Sequence, residues 1–290
     1  MLELKNICKE FVVNKCVKVH ALNNVSIRFG DKGFVAVVGK SGSGKTTLLN
    51  LLGGIDNPTS GEVFLNGRSF EDFKEKDYDD YRNFHVGFVF QHYNLLEDYS
   101  VVGNIKLALN FQQNSKGVIE QKAHSALEKV GIADLANRKI KTLSGGQKQR
   151  VAVARALAKD SSIILCDEPT GNLDSSTSNQ VIEVLKEISK ERLVVVITHD
   201  DEICGFADRI IRLKDGAVVE DMHKKLPQSQ FASTRPKNNK IKSYQGVSVK
   251  NSFQMIGNNI SHSAVSTALV ALLMVAVFAL MTVFFFIAAV

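Results

Sequence analysis

Residues 251–290 contain no Asp, Glu, Lys or Arg, and residues 222–250 contain no acidic residue although they hold seven basic ones. All 30 acidic residues therefore lie in residues 1–221 beside 29 of the 36 basic ones, so that stretch sums to −1. The net charge of +6 is one short basic block next to a neutral body. This distribution argues against a nucleic-acid-binding face on the body, and no nucleic acid is expected as a partner. The four cysteines, Cys8, Cys16, Cys166 and Cys204, include no C-x-x-C pair, which excludes the usual zinc or redox spacing. Four reduced thiols fit a cytosolic domain. The opening MLELKNICKEF has no apolar run, which speaks against a secretory signal peptide. No internal repeat is visible.

Beyond the basic block lies a long apolar run. Residues 263–290 are mostly Ala, Val, Leu, Phe and Met, and about 20 apolar residues span a bilayer as a helix. They are read as one transmembrane helix at the cell membrane. Residues 222–262 are read as a basic juxtamembrane linker containing Pro227 and Pro236. Cytoplasmic flanks carry the Lys/Arg excess, so the N-terminus and the body of residues 1–221 are expected inside. The basic collar can also rest on anionic lipid. Because the apolar run reaches Val290 with no polar flank, the chain reads better as the front of a longer fused protein than as a tail-anchored subunit.

The body alternates between periodicities. Residues 2–7, 25–29, 34–38, 61–65 and 86–90 read as strands, and a turn at residues 30–33 precedes the third. Residues 45–52 have helical patterning. Helices dominate about residues 94–158, at 101–111, 119–130 and 145–158. Strands return at 163–166, 193–198 and 209–213, with a helix at 175–190. The fold class is α/β: a mostly parallel sheet, some antiparallel strands, and a helical subdomain at about 92–160. Residues 77–80, three acids beside Tyr78 and Tyr81, read as a solvated helix face.

Gly39-Lys40-Ser41-Gly42-Ser43-Gly44-Lys45-Thr46 matches G-x-x-x-x-G-K-[ST] between an apolar strand and a helix. Glycines let successive amides curl inward onto phosphate oxygens, and the following helix adds its positive N-terminal end. Lys45 can reach the β- and γ-phosphates of ATP, and Thr46 can offer its hydroxyl to Mg²⁺. Thr47 completes the candidate nucleotide-binding set. At the end of strand 163–166, Asp167 is positioned to hold Mg²⁺, and Glu168 can polarise a water for in-line attack on the γ-phosphate.

Leu143-Ser144-Gly145-Gly146-Gln147 opens a helix 20 residues or so before that strand end, and such an opening is a second anion site. This pentapeptide, lying between the two phosphate motifs, resembles the signature of the ABC ATPases, a family of the P-loop NTPase fold. Other motifs of that family stand in order. Gln91 after Val89-Phe90 resembles the Q-loop glutamine, Asn172-Leu173-Asp174 the D-loop, and Thr198-His199-Asp200 the switch histidine. Asn57-Pro58-Thr59-Ser60-Gly61, Asn94-Leu95-Leu96 and Asp167-Glu168-Pro169-Thr170-Gly171 are similar to the macrolide-export, lipoprotein-release and antimicrobial-peptide-efflux group. Some of its members fuse the ATPase to a following permease through a basic linker. The resemblance covers about residues 2–220. At the adenine-stacking position the family usually has Tyr; Phe11 is the candidate here, followed by a long loop at residues 12–19.

The resemblance implies a homodimer, or a pseudo-dimer of ATPase domains, with two composite sites. Each would take the phosphate loop of one subunit and Ser144, Gly145, Gly146 and Gln147 of the other. Glu168 would be the general base. His199 and Gln91 would sense the γ-phosphate and water, Gln91 would also reach Mg²⁺, and Asp174 would join the nucleotide set. A permease, in cis or as a separate subunit, would contact Asn94-Leu95-Leu96 and Tyr99. The function expected is an ATPase that powers export or extraction of an antimicrobial peptide, drug or lipoprotein. The alternative is an ATP-driven mechanical regulator of a membrane or cell-wall partner. A soluble repair or translation ATPase would need a long coiled coil or a second cassette, and neither is present.

Overall fold

The computed structural model describes residues 1–14, 17–112 and 114–224. The expected linker beyond Lys224 and the expected transmembrane helix lie outside these residues. Among the described residues, no helix is long and apolar enough to cross a membrane.

The chain opens with β1 (Leu2–Asn14), β2 (Val17–Arg28) and β3 (Gly33–Val38), then the helix α1 (Lys45–Leu52). Next come β4 (Ser60–Leu65), β5 (Arg68–Ser69), the short helix α2 (Glu75–Asp80) with a π-turn over Tyr81–His85, and β6 (Val86–Val89). Three helices follow: α3 (Val101–Leu109), α4 (Lys116–Lys129) and α5 (Gly145–Ala158). The chain then resumes strand–helix alternation with β7 (Ile163–Asp167), α6 (Ser175–Ser189), β8 (Leu193–Thr198), β9 (Arg209–Lys214) and β10 (Ala217–His223).

Two sheets form. One is antiparallel, in the order β2-β1-β4-β5; the other has six strands in the order β10-β9-β3-β8-β7-β6. In the larger sheet the strands from β9 to β6 pair in parallel, and only β10 runs antiparallel, against β9. β3 and β8 are almost wholly buried, as continuous apolar runs require when a parallel sheet is covered on both faces. Alternation along β3 sends Phe34, Ala36 and Val38 into one core and Val35 and Val37 into the other. The first core lies under α3 to α6, and the second lies between the sheet, α1 and the antiparallel strands.

Three local expectations change. Residues 12–14 and 17–19, expected within a loop, continue β1 and β2 as a hairpin in which Phe11 pairs with Val19 and Val12 with Lys18. Long-range ladder pairing overrides the weak local pattern there. β10 has no clear signal in the pattern; it carries Met222 and His223, opposite Ile210 and Arg209, so the expected linker start falls inside a strand. In the acidic cluster, Asp77 does more than face solvent. Its carboxylate accepts from the Lys74 amide at 2.9 Å and pairs with Arg68 at 3.2 Å, which holds it below the usual carboxylate range. Beside it Tyr81 is buried, and its hydroxyl donates to the Leu52 carbonyl at the end of α1 at 2.6 Å.

Candidate active site

The strand register places the functional side chains. β6, β7, β8 and β3 are parallel neighbours, and Val89 pairs with Cys166, Asp167 with Ile197, and Val38 with Thr198. The four strands therefore end at one rim. The residues that leave that rim are Gln91, Asp167 and Glu168, His199, and the phosphate loop. Open α/β sheets bind ligands along such carboxyl ends.

The loop itself is tightly built. Gly44 has φ +97°, and a Cβ there would lie 2.3 Å from the Ala21 carbonyl oxygen of β2. Only glycine fits such a left-handed, crowded position. Lys45 is buried, and its ammonium donates to the Gly39 carbonyl at 2.7 Å and the Lys40 carbonyl at 2.9 Å. Burial lowers its pKa, while the charges of Glu168 and Asp167 act in the opposite sense. Ser43 is buried, and its hydroxyl has no hydrogen-bond partner among the described residues. A buried orphan hydroxyl in a glycine loop beside a lysine fits an anionic ligand. Ser41, Gly42 and Thr46 are exposed around it, while Gly39 and Thr47 are half-buried.

The acidic side faces Lys45. Burial raises the Asp167 pKa, and the neighbouring Glu168 charge adds to that, against Lys45 and His92. Glu168 has φ +44°, a left-handed conformation that costs a non-glycine residue energy and is found concentrated at active sites. Its Oε1 lies 2.9 Å from Nδ1 of His199. With the carboxylate as acceptor, Nδ1 carries the proton and donates. Glu168 Oε2 and Gln91 Nε2 converge over Gly171, at 3.3 and 3.6 Å from the point where a Cβ would sit. Two carboxylates with a threonine hydroxyl and a glutamine amide are hard oxygen donors. Such a set suits Mg²⁺, which uses few protein ligands and keeps the rest for phosphate and water.

The signature lies at the start of α5. Ser144 caps α5: its hydroxyl accepts from the Gln147 amide, and the Gln147 side chain accepts from the Ser144 amide at 3.1 Å. Ser144 is exposed. The nearest atoms to a Cβ on Gly145 are Tyr93 Oη, Asn172 O and Leu173 Cδ2; those at Gly146 belong to Thr177. Asp174 is the N-cap of α6, accepting from Ser176 Oγ at 2.7 Å and the Thr177 amide at 3.1 Å, which keeps its carboxyl far below the usual range. Phe11 stands exposed on β1 with Lys9 Nζ 5.1 Å over its ring.

One subunit thus gathers the phosphate loop, Asp167, Glu168, Gln91 and His199. The signature opens α5, and Phe11 stands on β1. Sequence reasoning missed Arg155, which binds the segment after Gln91. Nothing in the local pattern of α5 singles it out, because its partners are 61 and 62 residues away.

The family model described as ABC transporter matches residues 22–171. An uncharacterised ABC transporter ATP-binding protein of Methanocaldococcus jannaschii is 42% identical over 227 residues, 76% of this chain and 96% of that protein. A macrolide export ATP-binding/permease protein, MacB, of Chlorobium luteolum is 41% identical over 225 residues. That alignment covers 77% of this chain but 34% of the relative, so the chain spans about a third of its length. A solved dimeric ATP-binding cassette in a post-hydrolysis state, bound to ADP and Pi, matches with a TM-score of 0.71 at 38% identity, over 77% of this chain and 98% of that one.

Proposed function

The chain belongs to the ABC transporter family, and we propose that this ATPase drives export of a drug, an antimicrobial peptide or a lipoprotein through a membrane permease. The ATPase activity itself follows from the family and from structural relatives caught with hydrolysis products. ABC ATPase domains of this kind dimerise, as in the solved cassette. Export is the finer part of the reading. Its support is the resemblance to the macrolide export ATPase–permease proteins, which also favours transport over mechanical signalling. On the same reading the ATPase body is cytoplasmic and held at the membrane by its permease.

The observation that carries the mechanism is the Glu168–His199 pair at the rim that Lys45 faces. Glu168 takes a proton from water while the water oxygen attacks the γ-phosphorus, and the bond to the β-phosphate oxygen breaks, giving ADP and phosphate. The Nδ1–H of His199 fixes the carboxylate's orientation. Lys45 exchanges its loop carbonyls for phosphate oxygens, gaining a charged partner in a part-buried place. The loop amides and the Ser43 hydroxyl bind the phosphates. Thr46, Asp167 and Gln91 would hold Mg²⁺, which supplies neutralising charge at the phosphates. Phe11 would stack on the adenine, and Ser144 and Gly146 of a second copy, with Gly145 and Gln147, would close the site.

In the test, Glu168→Gln should lose turnover by about 100-fold or more while still binding ATP. A Glu168→Gln protein with normal turnover would remove Glu168 from the base role. The export reading is checked in vesicles carrying the protein with its permease: substrate-stimulated ATPase activity supports it, and the absence of stimulation by any of the three substrate classes counts against it.

A further inference from the structure

Gln91 leaves the end of β6 and leads directly into a backbone anomaly. Tyr93 has φ +61° and Asn94 φ +47°, two consecutive non-glycine residues in the left-handed region. The Asn94 amide donates to the His92 carbonyl at 2.6 Å, a bond that skips a single residue. Positive φ at the central residue with such a bond marks the γ-turn of the rare, strained hand. Strain of this kind persists only where surrounding structure over-determines it.

Arg155 supplies that restraint. One guanidinium nitrogen donates to the Tyr93 carbonyl at 3.0 Å and the other to the Asn94 carbonyl, so the planar fork grips both strained residues at once. Arg155 lies in the last turn of α5, while Ser144 caps the first turn of the same helix. Tyr93 also reaches that first turn: its hydroxyl oxygen lies 3.1 Å from the place of a Cβ on Gly145. The segment after Gln91 is therefore bonded to the last turn of the signature helix and lies close to its first turn. The next stretch is fastened too. Asn104 of α3, buried, accepts from the Leu96 amide at 2.8 Å and donates to the Leu96 carbonyl at 3.0 Å.

We propose that Arg155 is a positioning residue for hydrolysis: it holds the strained turn at His92–Asn94 and so fixes Gln91 relative to the signature helix. The inference rests on the reading that Gln91 serves the γ-phosphate and its water. Because Gln91 would serve one composite site and the signature of the same subunit the other, the clamp also joins the two sites mechanically. Lysine cannot replace arginine in this role, since one ammonium cannot keep the geometry of a two-carbonyl fork.

The test uses the full chain and five variants: Gln91→Ala, Arg155→Lys, Asn94→Gly, and Arg155→Lys combined with each of the other two. Asn94→Gly, at an exposed position, takes the positive φ at no steric cost and so lessens the need for the clamp without touching the core. Steady-state ATPase kinetics should show kcat lower by about 10–100-fold in Arg155→Lys with KM within a few-fold, the signature of misplacement rather than lost binding. Asn94→Gly should change kcat less than Arg155→Lys does, and added to Arg155→Lys it should restore part of the lost kcat, because glycine takes positive φ without strain. In the Gln91→Ala background, Arg155→Lys should not lower kcat further. Equal falls in both backgrounds would make Arg155 merely structural and overturn the proposal, as would a normal kcat in Arg155→Lys when Gln91→Ala is slow. If Gln91→Ala turns over normally, the reading of Gln91 itself fails and the clamp fails with it. Should Arg155→Lys not fold, Arg155→Gln, whose amide can still donate to one carbonyl, is read on the same criteria.

Discussion

Burial lowers the pKa of Lys45, which is buried, and of Lys159, which is half-buried, yet the two serve different ends. Lys45 faces Glu168 and Asp167 and sits on loop carbonyls that a phosphate can displace. Lys45→Ala should raise the ATP dissociation constant at least ~10-fold by removing a charge-assisted bond; unchanged binding of a fluorescent ATP analogue would contradict this. Among the described residues, the Lys159 ammonium is bonded to backbone carbonyls and not to a carboxylate. It donates to the Arg82 carbonyl at 2.6 Å and the Val86 carbonyl at 2.8 Å, and burial, with the Arg155 charge adding to it, pushes its pKa down to about 8. In the unfolded chain the group returns to the ordinary value of 10.5. Between these values the unfolded state binds more protons, so stability rises with pH across that window. The full difference corresponds to roughly 3 kcal/mol. Relative to Lys159→Met, the native protein should therefore gain stability as pH is raised from 7 to 10. Denaturant unfolding of both proteins at the two pH values measures it, and parallel curves would refute it.

At the scale of elements, the signature helix meets the D-loop helix through the Arg150–Gln180 hydrogen bond and through one close fit at Gly146. A Cβ on Gly146 would lie 2.2 Å from Thr177 Cγ2, in the first turn of α6. Threonine is β-branched and cannot swing that methyl away without leaving its rotamer, and its amide is tied to Asp174. Gly146→Ala should push α5 and α6 apart and cut ATPase activity by about 10-fold or more. Adding Thr177→Ser, which deletes the methyl and keeps the hydroxyl, should restore part of it. An active Gly146→Ala protein, or a double variant no better than the single, would show that the contact is not limiting. The clamp of Arg155 on Tyr93 and Asn94 works at the other end of the same helix. α5 thereby presents Ser144 at its start and restrains the segment of Gln91 from its last turn.

Over the whole molecule, one copy holds the phosphate loop and the strand ends that carry Asp167, Glu168 and His199, and it leaves Ser144 of the signature exposed. A complete site on this reading requires a second copy. Glu168→Gln should accumulate as a dimer in ATP and return to monomer when ATP is withdrawn, which light scattering after gel filtration resolves. A protein that stays monomeric in saturating ATP would count against composite sites. Adding Ser144→Ala should weaken that dimer, while leaving ATP binding to the monomer close to normal. The helix cap it removes costs about 1 kcal/mol, so thermal unfolding serves as the control.

Much of the site was legible because its groups belong to short contiguous motifs at strand ends. A glycine loop between an apolar run and a helix states its own geometry, and Asp167-Glu168 follows from a buried run reaching the sheet rim. The α/β class was legible from the change of period along the chain, and the charge block from counting. The hairpin at Phe11, strand β10 and the cap made by Asp77 were not, because ladder pairing and tertiary contacts decide them against weak local patterns. Sequence alone determined which groups are present and the strand ends from which they project. Tertiary structure alone decided that Glu168 meets His199, that Gly146 has no room beside Thr177, and that a helix binds the turn after Gln91. The reason is range: propensity and spacing act over a few residues, whereas the bonds of Arg155 to Tyr93 and Asn94 span 62 and 61 positions and exist only once the sheet has brought them together.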